Sequence, residues 1–578
     1  MAGLSGAVAA DVVVVGGGGA GLCAAAAAAR AGAEVVLVTK ARPGAANATA
    51  YAGGGFTVSP SSEGPFTPED HFRLSLETGR SLADHELLRT LCLDGPRAVR
   101  ELETDFGVRF DWSPGGCSVH RFGRPPLLGG VGLTAPLVDF IRRAGCRILD
   151  QAVVTTIVQE GDRPAGQAGP AGPGRGEARG VLAVVPSSGE VWAVEAPAVV
   201  VATGGGGAVY GHTDNPPRMT GDGYALLREA GAFLRDMEFV QFYPLGLAEP
   251  GAPSRLLDTG LLDVIRLTDE AGRDPLAGCL GEWGVASGAE INLRARDRAA
   301  VALGRHVAAG HRLYLHTEEL PESGCPADLL EEVRRTFPRT IDPFARPVAV
   351  APVQHYFCGG AVISPDGAVA GKDGPIPGLY ACGEVTGGVD GANRVGGNAL
   401  TNIVTFGLAA GRAAAACAAR SRARVAEGRR GPRRAPDVSG PAWTTARESL
   451  LGRLAVLGDR AAGGGRAVGG TRQGPRPRPS DIRRELQDLA DRYLGPVRSG
   501  AGLTEALSAL DDLARRAAAV RARPGPELLI ALEASGAVAT AALLARAALE
   551  RTESRGCHFR EDFPAEDPDW LRPVVIGF

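Results

Sequence analysis

Four short apolar runs, three of them closing on glycine, set the pattern of this chain. Asp11–Val15 reads DVVVV, with no polar position after the first, as expected of a strand buried on both faces of a parallel sheet. GGGGAG follows, then an alanine-rich helix predicted from about Leu22 to Ala31, then a second strand within EVVLVTK. This is a β-turn-α-β unit. Two further apolar runs, APAVVVATGGGG (Ala196–Gly207) and GLYACGE (Gly378–Glu384), repeat the strand-to-glycine pattern far downstream. Strand ends of this kind predict one parallel sheet presenting several loops to a single ligand.

Between them, roughly Leu247–Val350 has its own strand and helix periodicities and reads as an inserted domain. Gly161–Ala178 is a low-complexity loop, and the Pro/Gly/Arg-rich tracts within Arg420–Pro479 read as a poorly ordered linker. From Ser480 helical spacing returns in DIRRELQDLADRYL and persists to about residue 565. The predicted divisions are 8–246 and 351–418 for the two parts of the sheet domain, 247–350 for the insertion, 419–479 for the linker and 480–565 for a helical domain.

Composition narrows the classes. With 578 residues the chain is too long for one core. Apolar residues at 44%, charged residues at 22% and a net charge of −3 give no basis for nucleic-acid binding. Lys40 and Lys372 are the only lysines, against 62 basic residues in all, so a lone arginine means little without a motif around it. The ten cysteines stand singly, with no Cys-x-x-Cys, which argues against an iron–sulfur or other metal site in this chain and fits a reducing compartment. No basic signal-peptide region opens MAGLSGAVAA, and no run reaches ~18 apolar residues. A soluble cytoplasmic protein without direct membrane insertion is expected.

Gly16, Gly18 and Gly21 form G-x-G-x-x-G between a strand and a helix, the arrangement that brings a dinucleotide pyrophosphate to backbone amides and a helix N-terminus. The second strand ends in Thr39-Lys40, without the carboxylate usual at NAD sites. GEVTGGVDGANRVGGNAL (Gly383–Leu400) has six glycines in eighteen residues, with Arg394 among them. Such a stretch admits a flat ring and a small ligand against backbone, beside a fixed positive charge.

These segments, with LVTKARPGAANATAYAGGG, TGDGYALLREAGAFLRDMEFVQFYP, HYFCGG and ALERTESRGCHFREDFP, resemble in order the motifs of the fumarate reductase/succinate dehydrogenase flavoprotein family, which includes L-aspartate oxidase. The resemblance covers nearly the whole chain. It implies an α/β fold: a Rossmann-like FAD-binding domain with an inserted α+β capping domain and a C-terminal helical domain. It implies FAD contacts at Gly16, Gly18, Gly19, Ala20 and Gly21, and at Thr39, Lys40, Thr49, Ala52, Gly53 and Gly54. Thr203, Gly204, Asp222, Glu384, Asn398, Ala399 and Leu400 complete the implied set. Ala48 stands where covalently flavinylated members have histidine, so non-covalent FAD is expected.

The resemblance also implies the chemistry, hydride exchange between flavin N5 and the CH–CH bond of a small carboxylate, with an arginine carrying the proton. Arg296 matches that arginine, and His355 and Arg394 match the pair that grips one carboxylate. Two departures stand out. Tyr243, in QFYPLG, replaces the histidine that meets the other carboxylate, and LLDTGLLDV replaces the Thr-Glu and R-G-E-G-G run, leaving Asp258-Thr259 loosely comparable. GVDG further puts Asp390 where histidine is usual. The resemblance therefore implies an FAD-dependent oxidoreductase of the succinate/fumarate type. Alternatives are an L-aspartate oxidase-like enzyme, a flavoprotein for a different carboxylate, or a lapsed flavoprotein serving in electron transfer. An iron–sulfur or other electron-transfer subunit is the partner the family suggests.

Overall fold

Strands without polar side chains must be covered on both faces, and the four apolar runs lie side by side as the inner strands of one sheet. The computed structural model describes residues 4–61, 63–120, 129–160, 176–322, 324–325, 327–428, 436–458 and 477–577. Its central sheet has the order Ala368–Gly371, Gly374–Ala381, Ala198–Val201, Val12–Val15, Val35–Val38, Arg147–Leu149. Every neighbouring pair is parallel except the first. Parallel pairing brings the ends of Val15, Val38, Val201 and Ala381 to one edge, so the loops that follow them share one crevice.

The helices Gly19–Arg30 and Asn398–Gly428 pack together beside this sheet. Their alanine and glycine content is a packing requirement, since a Cβ on Gly411 would lie 2.2 Å from the carbonyl oxygen of Ala24. Asn398–Ala423 and Pro526–Glu550 are, by length and composition, apolar enough to cross a membrane, against the sequence expectation. They are apolar on several sides because neighbouring elements cover them, with 67% and 61% of their most apolar stretches buried.

A second four-stranded sheet pairs Leu4–Ala9 with Glu190–Glu195, Glu177–Val185 and Val153–Glu160. The inserted region forms an antiparallel sheet of Val240–Leu247, Val348–Phe357, Leu313–Leu315 and Leu267–Asp269, with its own core around Leu245, Leu267, Leu303, Leu313 and Val348. The boundaries read at 246/247 and 350/351 fall inside the two long strands of this sheet. These strands form one continuous ribbon, so the insertion is entered through paired strands rather than through loops.

The stretch read as a flexible linker is largely structured where it is described. The helix Asn398–Gly428 runs past residue 418, and Pro441–Gly458 is a helix whose Trp443 is buried beside Gly180. Proline, glycine and arginine content did not reveal these helices because alanine and leucine carry them. Most of the Gly161–Ala178 loop and residues 459–476 lie outside the described residues.

The C-terminal helices Pro479–Tyr493, Gly500–Ala518 and Pro526–Glu550 pack on one another and lead into a buried ionic cluster. Arg551 Nε donates to Glu238 Oε1 at 2.6 Å and its Nη1 to Glu553 Oε1 at 2.8 Å, all three residues being fully buried. Arg555 donates to both oxygens of Glu553, at 2.8 and 2.9 Å. Burial pushes the Glu238 carboxyl up to about 7 even with Arg551 beside it. Glu238 lies two residues before the strand Val240–Leu247, so this cluster fixes the start of the long ribbon. Arg551→Ala would leave Glu238 without its cation, and a loss of ~3–5 kcal/mol in unfolding free energy is expected. The shift of the urea unfolding midpoint measures it.

Candidate active site

The crevice at the sheet edge is a cleft that begins at the N-terminus of the helix Gly19–Arg30. Gly16 has φ +119°, and a Cβ there would lie 2.2 Å from the oxygen of Ala202. A Cβ on Gly21 would lie 1.9 Å from the oxygen of Gly16, so this glycine closes helix onto strand. A Cβ on Gly18 would meet nothing closer than 3.8 Å, which leaves open space in front of the helix start, where Gly19 N donates to Thr49 Oγ1 at 3.1 Å and the N-cap residue, a glycine, brings no side chain of its own. Room at the amides of a helix start is what a pyrophosphate requires.

From there the cleft passes Thr39 and Lys40, then Ala45–Thr49, Thr203 and Gly204, Asp222, and finally Glu384 and Ile403. Lys40 Nζ donates to Asp222 Oδ1 at 3.0 Å and to Thr220 Oγ1 at 2.8 Å, and stands 3.2 Å from Glu533 Oε1. Two carboxylates thus neutralise the lysine at the place where NAD sites carry an acid. Thr203 Oγ1 is buried without a partner among the described residues. Glu384 spends both oxygens on the protein, accepting from Gly205 N at 3.2 Å and Phe357 N at 3.1 Å, and burial pushes its carboxyl up to about 7.

Other expected cofactor residues are placed less directly. Ala52, Gly53 and Gly54 do not line this cleft, and lie against Gly129 and Gly130, with Ala52 O accepting from Gly130 N at 3.0 Å. Asn398 spends its side chain on His71 Nε2 at 2.8 Å and Ser75 Oγ at 3.0 Å, which anchors the first turn of Asn398–Gly428. Ala399 and Leu400 follow in that turn, with Ala399 packed against the Phe239–Tyr356 cluster. Glu533, from the C-terminal helix, was missed because no local motif marks a contact over such a sequence distance.

The second part of the site is built where the long ribbon is irregular. Gln241 pairs with Tyr356 and Phe242 with Gln354, so His355 is the extra residue of a β-bulge. A bulge re-aims the side chain it carries. His355 Nδ1 stands 2.8 Å from Asp214 Oδ2, and its ring meets that of Tyr243 edge-on at 6.2 Å between centroids. Burial lowers the His355 pKa, with Asp214 opposing that shift.

Arg296 opens the helix Arg296–Ala308, directly after the π-helical turn Ile291–Ala295. One Nη donates to Gln241 Oε1 at 3.2 Å and the other to Asn292 Oδ1, while its Cζ lies 5.2 Å from the centre of the Tyr243 ring. Arg394 Nη2 donates to the same Gln241 oxygen at 3.0 Å, and its Cζ lies 4.2 Å from the Tyr356 ring centre. Gln241 is held in turn, its amide donating to Asn393 Oδ1 at 2.7 Å and to Arg394 O at 2.9 Å. Both guanidinium groups are buried, and among the described residues the Nε of each has no partner. Burial, and then the charge of Arg394, pull Arg296 down to about 10.

Arg296, Arg394, His355 and Tyr243 therefore form one cluster. Asp390 adjoins it, its Oδ1 unpartnered, and burial pushes its carboxyl up to about 6 against the pull of Arg394. Asp297, next in chain to Arg296, accepts from Arg80 Nη2 at 2.6 Å. Gln241 and Asp297 were not singled out from the sequence, although both adjoin residues that were.

A dinucleotide cleft on a parallel sheet, with two buried arginines held by Gln241 of the inserted sheet, fits an FAD-dependent oxidoreductase. The comparisons agree. A family model described as FAD binding domain matches residues 11–400, and one described as fumarate reductase flavoprotein C-term matches residues 483–576. The chain belongs to the fumarate reductase/succinate dehydrogenase flavoprotein family, which includes L-aspartate oxidase, and FAD is its cofactor.

L-aspartate oxidase of Streptomyces coelicolor is 33% identical, covering 99% of this chain and 92% of the relative. A polypeptide of the fumarate reductase (CoM/CoB) of Methanothermobacter marburgensis is 29% identical, covering 94% and 92%. Among solved structures, the apo Sdh1 complex of Mycobacterium smegmatis has a TM-score of 0.76 at 29% identity, covering 98% of this chain and 91% of that one. The quinol fumarate reductase of E. coli has a TM-score of 0.77 at 26% identity, covering 98% and 94%.

Ala48 lines the FAD cleft and offers no nucleophile for a covalent flavin bond. Acid precipitation of the purified protein is expected to leave the flavin in the supernatant. Yellow colour retained in the washed pellet would contradict this.

Proposed function

We infer that the chain moves hydride between its flavin and the carbon–carbon bond of a small carboxylate, with Arg296 carrying the proton. The observation that supports this most is the pair of buried guanidinium groups joined through Gln241, each with an unused Nε. Two like charges held out of water need an anion, and a carboxylate takes a guanidinium through charge-assisted hydrogen bonds. FAD, when bound, supplies the hydride donor or acceptor. Arg394 and His355 hold a carboxylate of the substrate. Arg296, kept between Gln241 and Asn292, holds the proton for the carbon next to the one that exchanges hydride. Its low pKa suits that task, because a guanidinium at its ordinary value is a poor acid. The Asp297–Arg80 pair is the adjoining acid–base pair through which Arg296 exchanges protons with solvent.

A second reading, oxidation of L-aspartate, is supported by the full-length similarity to the Streptomyces coelicolor enzyme. Anaerobic flavin absorbance separates the two. Under the first reading fumarate reoxidises the reduced flavin and L-aspartate leaves the oxidised flavin unbleached; under the second L-aspartate bleaches it. Ten isolated cysteines provide no motif for an iron–sulfur cluster, so electrons are proposed to enter or leave through a partner subunit or a diffusible carrier.

Two outcomes are expected of the proton role. Arg296→Met should lower turnover by about 10²–10⁴-fold while flavin content stays unchanged. In the reducing direction Arg296 must carry its proton, so turnover should fall as pH rises through about 10. In the oxidising direction Arg296 must be able to accept one, and the same titration should raise the rate.

A further inference from the structure

Charge is unevenly spread over the site. Arg394, Arg296 and His355 with Asp214 gather around Gln241. The tip of Tyr243 lies elsewhere. Its phenol oxygen accepts from Thr259 N at 3.3 Å and also meets the Thr259 hydroxyl. Thr259 is fully buried, so at most one of the two hydroxyl hydrogens is taken up between them, and the other has no acceptor among the described residues. Asp258, which immediately precedes it, caps the short helical turn Thr259–Asp263 with its carboxylate, accepting from Gly260 N at 2.7 Å. Both burial and the Asp258 charge raise the phenol's pKa, so the group stays a neutral donor. Arg296 lies over the Tyr243 ring, and its Nη groups are committed to Gln241 and Asn292.

This buried pair of hydroxyls thus keeps a hydrogen to donate, beside the exposed carboxylate of Asp258. A second carboxylate here would find Arg296 over the face of the Tyr243 ring rather than at its tip, and would face the charge of Asp258. A neutral carbonyl oxygen would accept from the hydroxyl pair without that repulsion. An unpaired buried donor is costly, so the occupant that satisfies it is selected.

We propose that the substrate is a monocarboxylate, anchored by Arg394 and His355, whose far end is a neutral carbonyl such as an amide or ester received by Tyr243 and Thr259. The proposal rests on the functional reading given above and assigns the substrate class of that same site. Tyrosine in place of a cationic clamp is then a specificity device rather than a loss.

The test uses the full-length FAD-loaded protein and two probes, fumarate and its monoamide, with affinity measured by calorimetry and flavin reoxidation measured separately. The monoamide should bind about tenfold more tightly than fumarate, a difference of ~1.4 kcal/mol. Tyr243→Phe keeps the ring and should weaken monoamide binding by about tenfold with little change for fumarate. Tyr243→His, assayed near pH 6, should reverse the preference. Equal or tighter binding of fumarate by the native protein, or an unchanged monoamide affinity in Tyr243→Phe, would overturn the proposal. Turnover of both probes with fumarate preferred sustains the hydride reading and rejects this one. Tyr243-dependent monoamide binding without flavin reoxidation does the reverse. Binding of neither probe rejects both.

Discussion

Two guanidinium groups buried side by side are the constraint around which this molecule is arranged. Arg296 and Arg394 repel one another out of contact with bulk water, and the Gln241 oxygen accepts from both. A neutral amide oxygen softens that repulsion without cancelling it, and the adjoining Asp390 carboxyl is itself pushed by burial toward its neutral form. Such an arrangement costs folding free energy unless the scaffold is rigid enough to hold it. On the function proposed above, a bound carboxylate would recover part of that cost as binding energy.

The rigidity comes from elements that contribute nothing to the chemistry directly. Gln241 sits on the strand Val240–Leu247, whose approach is pinned by the fully buried Glu238–Arg551–Glu553 cluster. Its partner strand Val348–Phe357 carries His355 and Tyr356 and ends where Phe357 N donates to Glu384. Glu384 also takes Gly205 N, which joins the ribbon to the glycine loop of the central sheet. The C-terminal helical domain reaches the other side of the cofactor cleft through Glu533 and Lys40. Cleft and clamp are therefore parts of one framework, and the C-terminal helices hold both.

What the sequence revealed followed from backbone requirements. Gly16, Gly18 and Gly21 announce themselves because close approach of main chain to main chain permits no side chain there. The valine runs announce a parallel sheet because nothing polar interrupts them. Arg296, His355 and Arg394 stood out only through resemblance, since among 60 arginines no physical pattern distinguishes them. The residues that organise them were not legible. Gln241 acts through its amide oxygen between two side chains distant in sequence, and Glu533 pairs with Lys40 across nearly five hundred residues. The linker was misjudged for a related reason, because composition counted proline and glycine while the helix Pro441–Gly458 is carried by alanine, leucine and a buried tryptophan.

Departures from regular structure gather where the chemistry is assigned. Arg296 follows a π-helical turn, and His355 is the extra residue of a bulge. Arg80 and Ser81 both adopt left-handed backbone, with φ of +53° and +59°, and Arg80 reaches the nearly buried Asp297 from there. Each irregularity carries a local cost, of order 1–3 kcal/mol for a non-glycine residue held in the left-handed region. A regular helix, strand or turn at these three places would direct Arg296, His355 and Arg80 differently. Their coincidence around one pair of guanidinium groups accords with the function proposed above, which needs Arg296 and His355 aimed at one small anion and the Arg80–Asp297 pair kept beside Arg296.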